Sequence, residues 1–209
     1  MSNILLLNGS PHKQGCIATA FDEMFPIFAA EGIEAEVVYI GNQAIRGCVG
    51  CNRCQSLGKC VFDDAVNAFA EKFEAADGLI VGSPVYYASP NGTLIAFLDR
   101  LFYSTSFSKQ MKVGAAIVNC RRGGNTASFD VLNKYFMISG MAVATSTYWN
   151  QTHGFTPDDV RKDAEGLQTM RNLARNAAFL IKAIAAAKAQ SGLPVMERDA
   201  FTSFPDGKA

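Results

Sequence analysis

The chain carries no net charge, no long apolar run and no basic leader. Nineteen basic residues offset nineteen acidic ones among its 209 residues. A balanced surface offers no electrostatic attraction for nucleic acid or an anionic membrane. No apolar run reaches the length of a membrane span, and MSNILLLNGS runs straight into an apolar strand without a charged leader. A cytoplasmic protein, with neither nucleic acid nor membrane as partner, is the simplest expectation. Internal repeats and low-complexity tracts are also missing.

Apolar residues make up 49% of the chain. That suits one sizeable core with no need of disulfide or metal staples. Short apolar runs alternate with stretches of helical period. Strands are predicted at 4–7, 36–40, 79–81, 112–118 and 141–148, the third closed by Gly82-Ser83-Pro84. Helices are predicted at 18–30, where Pro26 kinks or ends the run, and at 63–76, with acidic residues in its first turn. Three more follow: 92–102 with Leu94, Phe97, Leu98 and Leu101 inward, then 128–138, then 157–189 with a break near Gly166. Residues 41–62 show no period and read as a loop. The alternation predicts a flavodoxin-like, doubly wound, five-stranded parallel sheet of order 2-1-3-4-5. The domain covers 1–190 with a cysteine-rich loop at 47–62, and 191–209 reads as a tail or arm.

Such sheets bind ligands beyond the carboxyl ends of their strands, at the point where strand order reverses. Three loops are placed there. The first runs from Asn8 to Cys16 and lacks both the GxGxxG of dinucleotide folds and the P-loop pattern. Its backbone amides can converge on an anion, Ser10 offers a hydroxyl, and His12 or Lys13 adds charge from the rim. An ordinary strand–helix turn is the competing reading. The second loop, Gly82 to Gly92, sets Tyr86 and Tyr87 beside Pro84 and Val85, which suits a wall for a flat aromatic ligand. The third, Asn119 to Asn125, holds Arg121 and Arg122, which could clasp a nucleotide phosphate, together with Gly123 and Gly124. Solvated turns would look much the same. His153 reads either as a group near that ligand or across a dimer, or as a plain loop histidine.

Four of the six cysteines follow the pattern C-x2-C-x2-C-x5-C at Cys48, Cys51, Cys54 and Cys60. Compact runs of this type hold iron–sulfur clusters, whereas zinc sites usually pair two knuckles over a longer stretch. Disulfides do not suit a reducing compartment. A loop that keeps its thiols but no metal is the other alternative. Cys16 and Cys120 stand apart and read as packed thiols.

Taken together, Leu7-Asn8-Gly9-Ser10-Pro11, Gly47 to Cys54 with Cys60 and Asp63-Asp64, Gly82 to Tyr87, Gly140-Met141, Tyr148-Trp149-Asn150 and Glu165 to Arg171 resemble a known family. The chain resembles the iron-sulfur flavoproteins, a branch of the NADPH-dependent FMN reductase group in the flavodoxin-like superfamily. The resemblance implies FMN on the three loops, at Ser10, His12, Gly15, Cys16 and Ile17, at Pro84, Val85, Tyr86 and Tyr87, and at Asn119, Arg121, Gly123 and Gly124. It implies a [4Fe-4S] cluster on the four cysteines near the flavin, and a homodimer or homotetramer with the flavin close to an interface. One departure stands out. The family usually carries Arg or Lys at position 12, and Asn or Ser and then Thr at positions 16 and 17. Here phosphate binding leans on Ser10 and backbone amides.

The expected activity is NAD(P)H-dependent reduction of FMN and onward transfer to a flavin, quinone or protein acceptor, with no side chain required as acid or base. The alternatives are a ferredoxin-coupled carrier without a nicotinamide site, and a metal-stabilised binding module without turnover.

Overall fold

The computed structural model describes residues 2–200 and 202. A parallel sheet is built from β1 (Asn3–Asn8), β2 (Glu34–Tyr39), β3 (Gly78–Tyr86), β5 (Val113–Cys120) and β6 (Ala142–Val143), in the order β2-β1-β3-β5-β6. Two short strands bring the total to seven: β4 (Ser89–Pro90) pairs antiparallel with β3, and β7 (Gln151–His153) pairs parallel with β5.

The central strands are apolar at nearly every position because both faces are covered. Successive side chains point to opposite faces. Ile4 and Leu6 of β1, with Ile80 and Ile117, enter one core; Leu5 and Leu7, with Leu79, Val81, Ala116 and Val118, enter the other. The first core is closed by α1 (Cys16–Asp22), α2 (Phe25–Ala30) and α8 (Ala164–Ser191). Met170, Leu173, Ala174, Ala177, Ala178 and Ile181 form the inward stripe of α8. The second core is closed by α4 (Ala65–Ala75), α5 (Gly92–Ser104) and α6 (Asn125–Ile138). There Phe97 is fully buried and meets Phe69 edge to face at 5.4 Å. Phe97→Ala is expected to lower unfolding stability by about 3–5 kcal/mol, read from a denaturant midpoint at unchanged slope.

Several sequence expectations are corrected. Five strands of order 2-1-3-4-5 become seven, because β3 adds the hairpin strand β4 and the fifth position is split between β6 and β7. The run 141–148 pairs only at Ala142–Val143, and β5 regains a neighbour at Gln151. Between them α8 captures the chain: Asn176 Nδ2 donates to the Thr145 carbonyl at 2.7 Å, and Ser146 Oγ donates to the Thr169 carbonyl at 2.7 Å. Gly82-Ser83-Pro84 does not close β3, which stays paired with β5 through Pro84 and then turns into β4. The stretch 18–30 is two helices, with Pro26 in the first turn of α2. Helix α4 has no acid in its first turn, since Asp64 is its N-cap and accepts from Val66 N–H at 3.1 Å. The break in 157–189 falls at Asp163, not Gly166; it separates α7 (Pro157–Lys162) from α8 and caps the latter through Gly166 N–H at 2.9 Å. Residues 41–62 hold one helical turn, α3 (Cys54–Leu57). Beyond Ser191, residues 192–200 and 202 carry no helix or strand, and the rest of the expected tail lies outside the described residues. Among the described residues no helix is long and apolar enough to cross a membrane.

Candidate functional site

The parallel sheet brings the three loops to one edge. Leu7 and Asn8 of β1 stand opposite Val81 and Gly82 of β3, and Gly82 to Pro84 stand opposite Ile117 to Asn119 of β5. Gly9 N–H donates to the Gly82 carbonyl at 2.9 Å, tying the first loop to the second.

The first loop is internally braced. Ser10 is buried; its N–H donates to Asn8 Oδ1 at 2.9 Å, and its Oγ accepts from His12 N–H at 3.1 Å. The hydroxyl hydrogen is not used in this turn. Gly15 is the N-cap of α1 without a side-chain cap, so the first amides of α1 have no intrahelical acceptor. Gly15 N–H itself closes on the His12 carbonyl at 3.1 Å. Tyr39 Oη donates to the Pro11 carbonyl at 2.7 Å and holds the loop from β2. Gly41 packs so closely that a Cβ there would stand 2.1 Å from the Ser10 carbonyl oxygen. His12 and Lys13 are exposed on the rim. The Ile17 side chain points into the apolar core, so its place in a phosphate site is limited to its backbone amide. Thr19, the nearest threonine, spends its hydroxyl on the Gly15 carbonyl.

The second loop is a tight hairpin rather than an open turn. Tyr86 pairs with Ser89, and the two residues between them, Tyr87 and Ala88, have φ of +52° and +56°. Both values lie in the left-handed region that a two-residue hairpin turn requires and that side chains resist. Tyr87 is fully exposed and Tyr86 is 43% exposed. Partial burial pushes the Tyr86 phenol above its ordinary pKa. Gly124 of the third loop presses on this hairpin: its φ is +88°, and a Cβ there would meet Ala88 Cα at 2.7 Å.

Asn119 sits in β5, not in the third loop as the sequence suggested, and its amide is spent on β7. It accepts from Thr152 Oγ1 at 3.0 Å and donates to the Gly154 carbonyl at 3.0 Å. Cys16 Sγ faces that same carbonyl at 3.8 Å, and burial pushes the Cys16 thiol up in pKa. Arg121, Arg122 and Gly123 are exposed. The surroundings of His153 come from long-range partners. Its Nδ1 lies 3.4 Å from Asp163 Oδ2 and its Nε2 lies 3.2 Å from Asn125 Nδ2.

The four cysteines line one small cavity together with Phe62, Arg100, Tyr103 and Ser104. All four are free thiols, Cys48 and Cys51 exposed, Cys54 and Cys60 half-buried. Among the described residues no three metal-ligating side chains stand close enough to hold a single ion. A cubane is a wider object than one ion, so its four thiolates stand farther apart than the ligands of one metal. The loop ends are anchored by residues that spacing did not single out. Arg100, 1% exposed, donates from Nε to Cys60 Sγ at 3.3 Å and pairs with Asp64 through two contacts of 2.6 and 2.8 Å. Burial works against charge on both partners, but their mutual bonds outweigh it, holding Asp64 below and Arg100 above their ordinary pKa values. Arg100 lies beside the inward stripe Leu94, Phe97, Leu98, Leu101 without breaking it, so no local pattern marks it. Two larger hollows lie away from the cysteines, one beneath residues 144–150 and one beside the first loop, lined by Asn8, Lys13, Gln14 and Tyr39.

The family model described as NADPH-dependent FMN reductase matches residues 2–156. The chain belongs to that family. An iron-sulfur flavoprotein of Methanocaldococcus jannaschii is 32% identical over 189 residues, covering 87% of this chain and 98% of its own. One from Methanosarcina thermophila is 29% identical, covering 85% of this chain and 94% of its own. These relatives place the chain in the iron-sulfur flavoprotein branch. Among solved structures, RosB with a bound 8-demethyl-8-formylriboflavin-5'-phosphate intermediate superposes with a TM-score of 0.71 at 16% identity, covering 98% of this chain and 93% of its own. An NADH:FMN oxidoreductase gives a TM-score of 0.62 at 18% identity, covering 86% and 89%. At such identities the structural likeness speaks for the fold alone. Family membership establishes a flavodoxin-like protein of FMN-based oxidoreduction.

Proposed function

We propose that the chain is an FMN-dependent oxidoreductase that takes electrons from NADH or NADPH and passes them, through a [4Fe-4S] cluster, to a flavin, quinone or protein acceptor. The observation that carries this reading is the junction of three loops at one sheet edge in a chain of the FMN reductase family.

On this reading the phosphate rests on Ser10 Oγ and on the free first amides of α1 at Cys16 and Ile17. Gly15 keeps the turn tight, since a Cβ there would meet His12 Cβ at 2.8 Å. His12 offers a ring nitrogen from the rim, and Lys13 beside it lends charge. Pro84, Val85, Tyr86 and Tyr87 flank the ring on one side, and Asn119, Gly123 and Gly124 on the other. Arg121 is free to meet the phosphate of a nicotinamide nucleotide. Bound there, FMN would supply hydride acceptance and release of electrons singly or in pairs. The residues orient it and offset its charge, and none of them is assigned an acid–base step.

The donor set of Cys48, Cys51, Cys54 and Cys60 fits an iron–sulfur cluster in two ways. The four converge on one cavity, and a guanidinium N–H already points at one sulfur. A homodimer or homotetramer completes the reading, supported by the individually exposed aromatic side chains Tyr87, Trp149 and Phe155. Light scattering is expected to return two or four chains per particle; a monomer contradicts this. The electron donor is tested by adding NADPH or NADH to anaerobic protein. Bleaching of the flavin bands is expected. A flavin that stays oxidised with both nucleotides, yet bleaches with reduced ferredoxin, removes the nicotinamide step.

A further inference from the structure

One face of α5 turns away from the apolar core and toward the cysteine loop. All five N–H donors of Arg100 are matched. Besides Cys60 and Asp64, Nη1 reaches the Arg46 carbonyl at 3.2 Å and Nη2 the Phe62 carbonyl at 3.3 Å. Arg46 precedes the first cysteine and Phe62 follows the last, so one side chain clasps both ends of the loop. One helical turn on, Ser104 is 6% exposed and its hydroxyl has no hydrogen-bond partner among the described residues. It lines the same cavity as the four cysteines. Both features are costly to the protein alone. A buried guanidinium loses hydration that an apolar side chain would never have needed, and an unmatched buried hydroxyl is unfavourable. Both suit a negatively charged, sulfur-bearing group in that cavity.

We propose that Arg100 and Ser104 set the reduction potential of the cluster held by Cys48, Cys51, Cys54 and Cys60. This rests on the cluster reading above. Gaining one electron makes the cluster more negative. Donors aimed at its sulfurs stabilise the reduced form more than the oxidised one and raise the potential. Arg100 acts through the Cys60 sulfur, and Ser104 supplies a hydroxyl with nothing else to bond. Asp64 works in the opposite direction, since its carboxylate lies behind the guanidinium and offsets the positive charge. All three are positioning residues.

The test is an anaerobic redox titration of full-length protein, followed by electron paramagnetic resonance, on the wild type, Ser104→Ala, Arg100→Lys and Asp64→Asn. Iron, sulfide and FMN are measured in each. Ser104→Ala is expected to keep its iron and FMN, because it breaks no bond the protein makes. Its one-electron reduction becomes about tenfold less favourable, a fall of about 59 mV. Arg100→Lys shifts the same way. Asp64→Asn keeps a capping side chain for α4 and shifts the potential upward. A structural role alone would weaken iron retention without shifts of opposite sign. If Arg100→Lys loses its iron, Ser104→Ala and Asp64→Asn decide the matter. Potentials that do not move, or that move the same way in those two, overturn the inference and leave the cluster reading intact. A wild type without iron overturns both.

Discussion

Replacing Gly41 by alanine is expected to empty the flavin site while leaving the sheet folded. The new methyl group would stand 2.1 Å from the Ser10 carbonyl oxygen and 2.3 Å from the Tyr39 ring. Neither neighbour is a flexible chain end. The first is backbone, and the second is the ring whose hydroxyl holds the Pro11 carbonyl at 2.7 Å. The loop from Asn8 to Gly15 has to move, and the bonds that set Ser10 and the first amides of α1 move with it. Overpacking of this kind costs about 1–3 kcal/mol in fold stability. Misplacing two charge-assisted hydrogen bonds to a phosphate costs more, about 3–6 kcal/mol, which corresponds to at least a hundredfold weaker binding. FMN titration by fluorescence quenching, beside a circular dichroism melt, reads the two effects separately. Full FMN affinity in a folded Gly41→Ala protein would place the phosphate elsewhere.

The second large effect is expected at Cys51. Cys51→Ser removes one of four thiolates and substitutes a hydroxyl, which stays protonated at neutral pH and binds iron poorly. Iron and acid-labile sulfide are expected to fall to near zero, and the broad brown absorbance to vanish. FMN stays at the wild-type level, because the cysteine loop is anchored on α4 and α5 while the phosphate loop leads into α1. The iron-free fold loses little, since Cys51 is an exposed free thiol. Zinc in the wild type, or unchanged iron in the variant, would contradict this assignment.

Much of the fold was legible because burial on two faces imposes continuous apolar strands. The run Ile4–Leu7 and the stripe Leu94, Phe97, Leu98, Leu101 are local patterns with local causes. The fifth strand position was not legible. Met141 to Ala144 reads as a strand, and nothing nearby in sequence reveals that Asn176 will take the Thr145 carbonyl. Asn119 and Cys120 read as loop because they are not aliphatic, yet they continue β5 opposite Thr152 and His153. The hairpin at Tyr87-Ala88 was hidden for another reason. Its backbone is one that Asn-Gly would adopt without strain, and this sequence carries tyrosine and alanine there.

The site divides in the same way. The cysteine spacing and the three edge loops are visible in the chain. The devices that hold them come from distant segments: Tyr39 on Pro11, Gly41 against Ser10, Gly124 against Ala88, Arg100 on both ends of the cysteine loop. Arg100 flanks the apolar stripe of α5, and only the fold brings it to the cysteine loop.

The central claim, that the three loops hold FMN for redox chemistry, is tested most directly by the visible spectrum of anaerobically purified protein after gel filtration. Flavin bands at roughly 370 and 450 nm, co-eluting with the chain at about one FMN each, are expected. A chain that elutes without flavin and does not take up added FMN would contradict the account.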